Sequence, residues 1–282
     1  MKERELISYI TSILDIPNDD AFVFPVNNTL FSITIDTLVA KTDVPPGMTK
    51  TQIGWKAVVM NLSDLAAMGS HPEYFLCSLV VPKDYPVLDI VNGVKSACDH
   101  FKCIYAGGDL NEGDLSVSGV ALGTSETVMP RNGAQPGDKV GITGDVGRVY
   151  AGLHNINTAT PSMKEKIFTP YPRVTEAKTL HAHSCIDISD GLSSELHHIA
   201  AASNVRIDID SNKIPIHPDV IQKALKEHET PVTWALKSGE EYELVFTNTE
   251  IPDTATEIGK VTTGKGVFID SEPMPLLGWE HL

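Results

Sequence analysis

Gly54-Trp55-Lys56-Ala57-Val58-Val59-Met60-Asn61-Leu62-Ser63-Asp64-Leu65-Ala66-Ala67-Met68-Gly69 is a long apolar run with an acid near its end. With the residues before it, the run predicts a helix over 50–69, entered after Pro45-Pro46-Gly47 and stopped by Gly69 and Pro72. Asp64 lies among Leu62, Leu65, Ala66, Ala67 and Met68, a segment too apolar for a solvent face. A charge buried there needs a partner or a metal ion. Upstream, residues 29–36 (TLFSITID) read as a strand that ends in Asp36. Downstream, the pattern gives a strand at 74–81, a helix at 86–101, and strands at 103–106 and 115–123. Gly107-Gly108-Asp109 reads as a glycine-acid turn between the last two. Strand and helix thus alternate, which predicts an α/β fold.

A short helix over 3–14 and a turn at Pro17-Asn18-Asp19-Asp20 precede this region. Arg131-Asn132-Gly133-Ala134-Gln135-Pro136-Gly137-Asp138 is turn-rich and marks the expected boundary between domains 1–130 and 131–282. Beyond it come a strand at 139–143, a Gly144-Asp145-Val146-Gly147 turn and a helix from 147. A helix at 172–183 leads to a strand at 185–188, followed by a helix at 190–203 and a strand at 205–209. A helix at 218–227 and strands at 241–247, 256–261 and 266–269 complete the chain. Each half carries an acid at the end of an apolar strand, then a helix.

The 282 residues include 22 basic and 37 acidic ones, a net charge of −15, with 41% hydrophobic and 21% charged residues. That balance lacks the basic footprint of a general nucleic-acid binder. No apolar run approaches the ~20 residues needed to span a bilayer, so no membrane partner is expected. The first residues carry acids and no apolar signal core, and Cys77, Cys98, Cys103 and Cys185 form no CxxC unit. Both features predict a reduced, cytoplasmic protein.

Two motifs are decoys. Gly259-Lys260-Val261-Thr262-Thr263-Gly264-Lys265-Gly266 approaches a P-loop, but Gly266 replaces the metal-binding hydroxyl and a strand follows. A hairpin turn is expected there. His181-Ala182-His183-Ser184-Cys185 lacks a second ligand pair at zinc-finger spacing.

The acids at Asp19-Asp20, Asp36, Asp64, Asp109 and Asp187-Ile188-Ser189-Asp190 differ from a solvated helix face. Several follow apolar strands or sit beside glycine. Carboxylates at strand ends can converge at one sheet edge, where α/β proteins place ligands. Their repulsion would be relieved by Mg²⁺ ions bridging a nucleotide. The plainer alternatives stay open: Ser189-Asp190 as a helix cap, Asp19-Asp20 and Gly107-Gly108-Asp109 as turns.

The ordered set Asp19-Asp20-Ala21, Thr34-Ile35-Asp36-Thr37-Leu38, the 54–69 run, Gly107-Gly108-Asp109, the 131–138 segment, Asp187-Ile188-Ser189-Asp190-Gly191-Leu192, Gly239-Glu240-Glu241-Tyr242-Glu243-Leu244 and Gly278-Trp279-Glu280-His281-Leu282 resembles the thiamine-monophosphate kinases, within the aminoimidazole-ribonucleotide synthetase superfamily. The resemblance implies ATP-dependent phosphorylation of thiamine monophosphate by in-line transfer. It implies a two-domain α/β (α+β) protomer with a C-terminal α/β sandwich domain. It also implies a homodimer in which the mixed N-terminal sheets pair through a barrel-like interface. By position, Asp20, Thr34, Ile35, Asp36, Asp64, Asp109, Asp187 and Asp190 resemble ligands to several Mg²⁺ ions, with K⁺ a further candidate. Gly108, Asp109, Arg131 and Ser189 resemble ATP contacts, and Asp36, Asp64, Asp109 and Arg131 are the expected catalytic set. Asp43, Glu240 and Trp279 stand where the family contacts its thiamine substrate. Trp279 could stack on the cationic thiazolium ring. Its alternative is a C-terminal aromatic tucked on the core.

Four positions depart from the family pattern. Ile35 replaces a hydroxyl residue, Asp43 a histidine, Asn18 a glycine and Glu241 an aspartate. Related ATP-dependent enzymes fit less well. A selenophosphate synthetase needs an early reactive Cys or selenocysteine, and no Cys precedes Cys77. A non-catalytic nucleotide-binding regulator on the same fold is the remaining alternative.

Overall fold

The structure is a computed structural model that describes residues 3–279. The closing Glu280-His281-Leu282 of the C-terminal motif lies outside the described residues. The first half comprises α1 (Glu3–Leu14), β1 (Phe22–Val26), β2 (Thr29–Val39), α2 (Ala40–Asp43), α3 (Lys50–Ala67), β3 (His71–Val81), α4 (Val87–Phe101), β4 (Ile104–Glu112) and β5 (Ser116–Ser125). The second comprises β6 (Lys139–Thr143), α5 (Arg148–His154), α6 (Pro161–Phe168), α7 (Val174–Leu180), β7 (Ser184–Asp187), α8 (Leu192–Ser203), β8 (Arg206–Ile209), α9 (Pro218–Lys226), α10 (Pro231–Lys237), β9 (Leu244–Asn248), β10 (Ala255–Thr262), β11 (Gly266–Ile269) and β12 (Glu272–Pro273).

The first half forms a mixed five-stranded sheet in the order β1-β2-β5-β3-β4, and the second a mixed seven-stranded sheet in the order β12-β11-β8-β10-β6-β9-β7. Among the described residues neither sheet closes into a barrel.

The long helix forms as its pattern requires. Thr49 and Gln52 make a reciprocal capping box at the start of α3, satisfying backbone donors that the helix leaves open. Leu62 and Leu65 on its inner face are fully buried under the first sheet. Truncating either to Ala would cost about 2–5 kcal/mol. The same core continues into the second half through Val174, Ala177, Leu180, Leu244 and Phe246. Trp55 adds a polar link across the halves, its indole N–H donating to the Pro170 carbonyl at 2.8 Å.

The structure corrects the local expectations at four places. β2 does not end at Asp36 but runs on to Val39, because Thr37, Leu38 and Val39 continue the ladder with Ser118, Val117 and Ser116 of β5. Gly107-Gly108-Asp109 is not a turn, because β4 runs through it. The ladder with β3 absorbs one extra residue there, advancing from Phe75 to Cys77 on one strand and from Tyr105 to Gly108 on the other. Gly107 supplies the bulge with φ of 111°. Gly108 lies so close to β3 that a Cβ would fall 1.7 Å from the Cys77 carbonyl oxygen. The segment 259–266 is not a hairpin either, since β8 lies between β10 and β11 and pairs with both. The turn crosses the end of β8 instead. The strand expected at 241–247 begins at Leu244, because Glu240 and Tyr242 take left-handed φ values of 55° and 52°. The structure also adds β1, α6 and α10, which the sequence pattern did not mark.

Candidate active site

The site sits at the junction of the two halves. Asp20 precedes β1, Asp36 is on β2, Asp64 near the end of α3, and Asp187 at the end of β7. One carboxylate oxygen each from Asp20, Asp64 and Asp187 lie within 4.8 Å of one another. Hydroxyls hold two of them: Thr34 Oγ1 donates to Asp64, and Ser63 Oγ donates to Asp187 at 2.6 Å. Arg131 Nη2 meets Asp20 Oδ1 at 2.5 Å, and the Arg131 amide donates to Asp19 at 3.2 Å. Asp20 Oδ2 is buried with no hydrogen-bond partner. Asn61 Oδ1 accepts the Asp36 amide at 3.1 Å, which ties β2 to α3.

Charge is under strain here. Burial, then the neighbouring Asp36, Asp187 and Asp20, push the Asp64 carboxyl well above the usual carboxylate range. Burial and Asp20 do the same to Asp187. Burial raises Asp20 too, partly offset by Arg131. Burial and Asp20 push Asp19 up to about 6. Hard oxygen donors, mutual repulsion and an orphaned carboxylate oxygen fit a divalent cation such as Mg²⁺.

Asp20, Asp64 and Asp187 line a cavity of about 850 Å³. Asp36, Asp43, Asp190 and Glu240 also line it, with Ser189 among them. Tyr150, Leu153, Leu276, Leu277 and Trp279 supply an apolar wall. A smaller cavity of about 180 Å³ adjoins it and shares Asp20, Ser189, Asp190 and Trp279, with Arg131 and Glu195 added.

The remaining expected residues divide. Ser189-Asp190 does not cap α8, whose N-cap is Gly191 with no side-chain cap bond. Glu195 reaches back to accept the Asp190 amide at 3.0 Å. Trp279 is not tucked on the core: it is 54% exposed, and its amide donates to the Asp190 carbonyl at 3.0 Å. The Asp43 carboxylate accepts the Val39 amide at 2.6 Å, closing the turn after β2 while still bordering the cavity. Ile35 is 67% exposed on the face of β2 away from α3, so only its main chain could serve a metal. Gly108 and Asp109 do not reach this cavity. Asp36, Gly119, Cys77 and Gly108 form one row across the sheet, three strand spacings or about 14 Å long. Asp109 belongs to the adjacent row with Thr37, Ser118 and Ser78, on the open face, and accepts from Asn111 at 2.7 Å.

Lys56 was missed. It is only 1% exposed, its Nζ lies 2.6 Å from Glu240, and it donates to the Asp43 carbonyl at 2.9 Å. It therefore fixes two of the three expected substrate contacts, Asp43 and Glu240. The signal was present, since a cation within the same apolar helix needs a partner for the reason Asp64 does. Ser63, Asn61 and Glu195, which hold the acids, carried no comparable signal.

Two mixed sheets with carboxylates gathered at their junction are the architecture of the chain, and the family description "AIR synthase related protein, N-terminal domain" matches residues 18–125. A thiamine-monophosphate kinase of Pyrococcus abyssi is 40% identical, covering 100% of this chain and 96% of its own length. One of Methanospirillum hungatei is 33% identical, covering 100% and 99%. The solved structure of AaThiL complexed with AMPPCP and TMP superposes with a TM-score of 0.94 at 31% identity, covering 100% of this chain and 97% of that one. The chain belongs to the thiamine-monophosphate kinase family. Hydrogenase maturation protein HypE in complex with ATP, at 17% identity and a TM-score of 0.71, shares the fold.

Proposed function

We infer that the protein transfers the γ-phosphoryl group of ATP to thiamine monophosphate, giving thiamine diphosphate and ADP. The observation that carries this reading is the convergence of Asp20, Asp64 and Asp187 in one corner of a cavity large enough for both substrates. Family membership over the full chain supports it. The acceptor is a phosphate, already anionic at neutral pH, so the site needs no strong general base. The main obstacle is bringing two polyanions together in line.

We propose that Asp20, Asp36, Asp64, Asp187 and Asp190 hold Mg²⁺, with Thr34 and the Ile35 main chain beside them. Bound Mg²⁺ would neutralise phosphate charge and align the transferred group. The protein's own groups do the rest. Arg131 offers a guanidinium beside Asp20 for a phosphate oxygen, and Ser189 borders the nucleotide side. Glu240, held by Lys56, and Asp43 face the polar and cationic parts of thiamine. Trp279 offers a ring face to the thiazolium.

We further propose a homodimer of two-domain protomers, with domains 1–130 and 131–282. The open face of the first sheet carries two apolar rows, Ile33-Leu122-Tyr74-Ile104 and Ile35-Val120-Leu76. Ile35, Tyr74, Leu76 and Ile104 are all exposed. A second copy covering these rows would make the barrel that one chain lacks. Asp109 and Gly108 lie at the edge of this sheet, so their ATP and metal contacts would be made across that interface.

The decisive assay is incubation with ATP, Mg²⁺ and thiamine monophosphate, with and without K⁺, and chromatography for thiamine diphosphate. No product under any of these conditions overturns the reading. Among the described residues, no helix is long and apolar enough to cross a membrane.

A further inference from the structure

Lys237, the last residue of α10, is a charge that the site described so far leaves unused. Among the described residues lining the large cavity, seven are acids and two are bases, Lys237 and His154. His154 Nε2 is engaged with Glu227 at 2.8 Å. Lys237 has no carboxylate partner among the described residues. Its ammonium lies 6.0 Å from the centre of the Tyr150 ring, which lines the same cavity. The main chain around it is tied to the acid-bearing loop. The Glu240 amide donates to the Ser189 carbonyl at 2.7 Å, and the Tyr150 amide donates to Ser238 Oγ at 2.9 Å. A Cβ built on Gly191 would lie 3.1 Å from the Lys237 carbonyl carbon, so Lys237 sits directly beside the Asp190-Gly191 step.

An acid-lined cavity repels a phosphate monoester wherever cations do not cover the acids. A flexible ammonium with three free donors, rooted beside those acids but not consumed by them, suits a phosphate oxygen. We propose that Lys237 binds the phosphate of the acceptor and so sets the preference for thiamine monophosphate over unphosphorylated thiamine. The proposal rests on the phosphotransfer reading above. The bland alternative is a lysine that only complements a helix C-terminus and keeps its head in water. Such a lysine would leave acceptor affinity unchanged.

The test compares the wild type with Lys237→Met, which removes the charge and keeps an apolar stem, and Lys237→Arg, which restores charge. Lys237→Gln is the second neutral variant should Met disturb folding, as read by melting temperature. In Mg²⁺ buffer, titration calorimetry gives the affinities for thiamine monophosphate and for thiamine, and steady-state kinetics give KM for each substrate. The expected result is a loss of about tenfold or more for thiamine monophosphate in the neutral variants. Thiamine affinity and the KM for ATP should stay unchanged, and Arg should recover most of the loss. Unchanged affinity for thiamine monophosphate, equal weakening of thiamine, or a raised KM for ATP would each overturn the proposal. If the wild type makes no thiamine diphosphate, the phosphotransfer reading fails separately. The difference between the two calorimetric titrations then still decides whether Lys237 reads the phosphate.

Discussion

Two clusters of acids in this molecule are treated in opposite ways. Glu243, at the entrance to β9, accepts from Arg173 Nε at 2.5 Å, Lys166 Nζ at 2.5 Å and Thr143 Oγ1 at 2.8 Å. Burial alone would raise its carboxyl, but Lys166 and Arg173 hold it below the usual range. Asp187 is buried and Asp64 half-buried on the cavity wall; both receive hydroxyl donors and face other acids, so both are pushed upward. The first cluster is a finished ion network that fastens α6 and α7 to the second sheet. The second has a charge demand that the fold does not meet. What separates the two clusters is the supply of cations: Glu243 meets a lysine and an arginine, while Asp64 and Asp187 meet hydroxyls and other acids.

The largest effect should come from Asp64→Asn or Asp187→Asn. Removing one carboxylate from the unmet cluster should lower kcat by about a thousandfold, an oxyanion-scale loss of electrostatic stabilisation. The metal-free fold should keep or gain stability, because a repulsive charge is gone. Turnover and thermal melting measured together decide this, and an unchanged kcat would erase the contrast between the two regions. Glu243→Gln should do the reverse. It leaves Lys166 and Arg173 underpaired and should cost about 3–5 kcal/mol in urea unfolding. A loss under about 1 kcal/mol would mean that the finished network is not structural.

The pH dependence sharpens the same comparison. Asp19, Asp64 and Asp187 have folded pKa values above their unfolded ones, so between those values the folded state holds more protons. Their contribution to stability therefore falls as pH rises. For Asp19 the fall spans from about 4 to about 6. Glu243, with a lowered pKa, contributes stability that is present above its unfolded value and is lost as pH falls through the folded value. Melting curves without metal should thus rise on mild acidification from pH 7 to pH 5, and saturating Mg²⁺ should flatten that rise. At 100-fold excess over its Kd, Mg²⁺ should also add about 2.7 kcal/mol at pH 7. A metal-free melting temperature that drops steadily over that range would contradict the signs. The smallest effect is expected from Trp279→Ala, a severalfold rise in KM for thiamine monophosphate with kcat nearly unchanged. An unaltered KM would mean that the Trp279 ring does not meet the thiamine substrate.

Much of this could be read from the sequence because it is local. The 54–69 run announces α3 by its apolar pattern, and the same pattern makes Asp64 conspicuous. Asp187 is visible because an acid ends an apolar strand, and Asp36 because an acid closes an apolar run, although β2 continues past it to Val39. What stayed hidden depends on tertiary partners. Gly107-Gly108 has the composition of a turn, and only the β3 partner strand makes it a bulge within β4. Glu240, Glu241 and Glu243 look alike in one short motif, yet they reach three environments. Glu240 faces the cavity, Glu241 accepts the Gly147 and Val149 amides to hold the start of α5, and Glu243 joins the ion network. The left-handed steps at Glu240 and Tyr242 break the alternation of a strand and separate the three. α10 is a seven-residue helix that the sequence pattern did not mark.

The bulge in β4 has a consequence for how this protein can vary. Beyond Gly107 the ladder sets Asp109 opposite Ser78, facing the open side. Straightening the strand while keeping every residue would slide Asp109 opposite Leu79, whose side chain is in the core. Deleting residue 107 would instead leave Gly108 opposite Cys77 and Asp109 opposite Ser78. Shortening the strand is therefore gentler than stiffening it. Lineages that lose the bulge should lose a residue with it, and a β-branched residue at position 107 should be rarer than a gap.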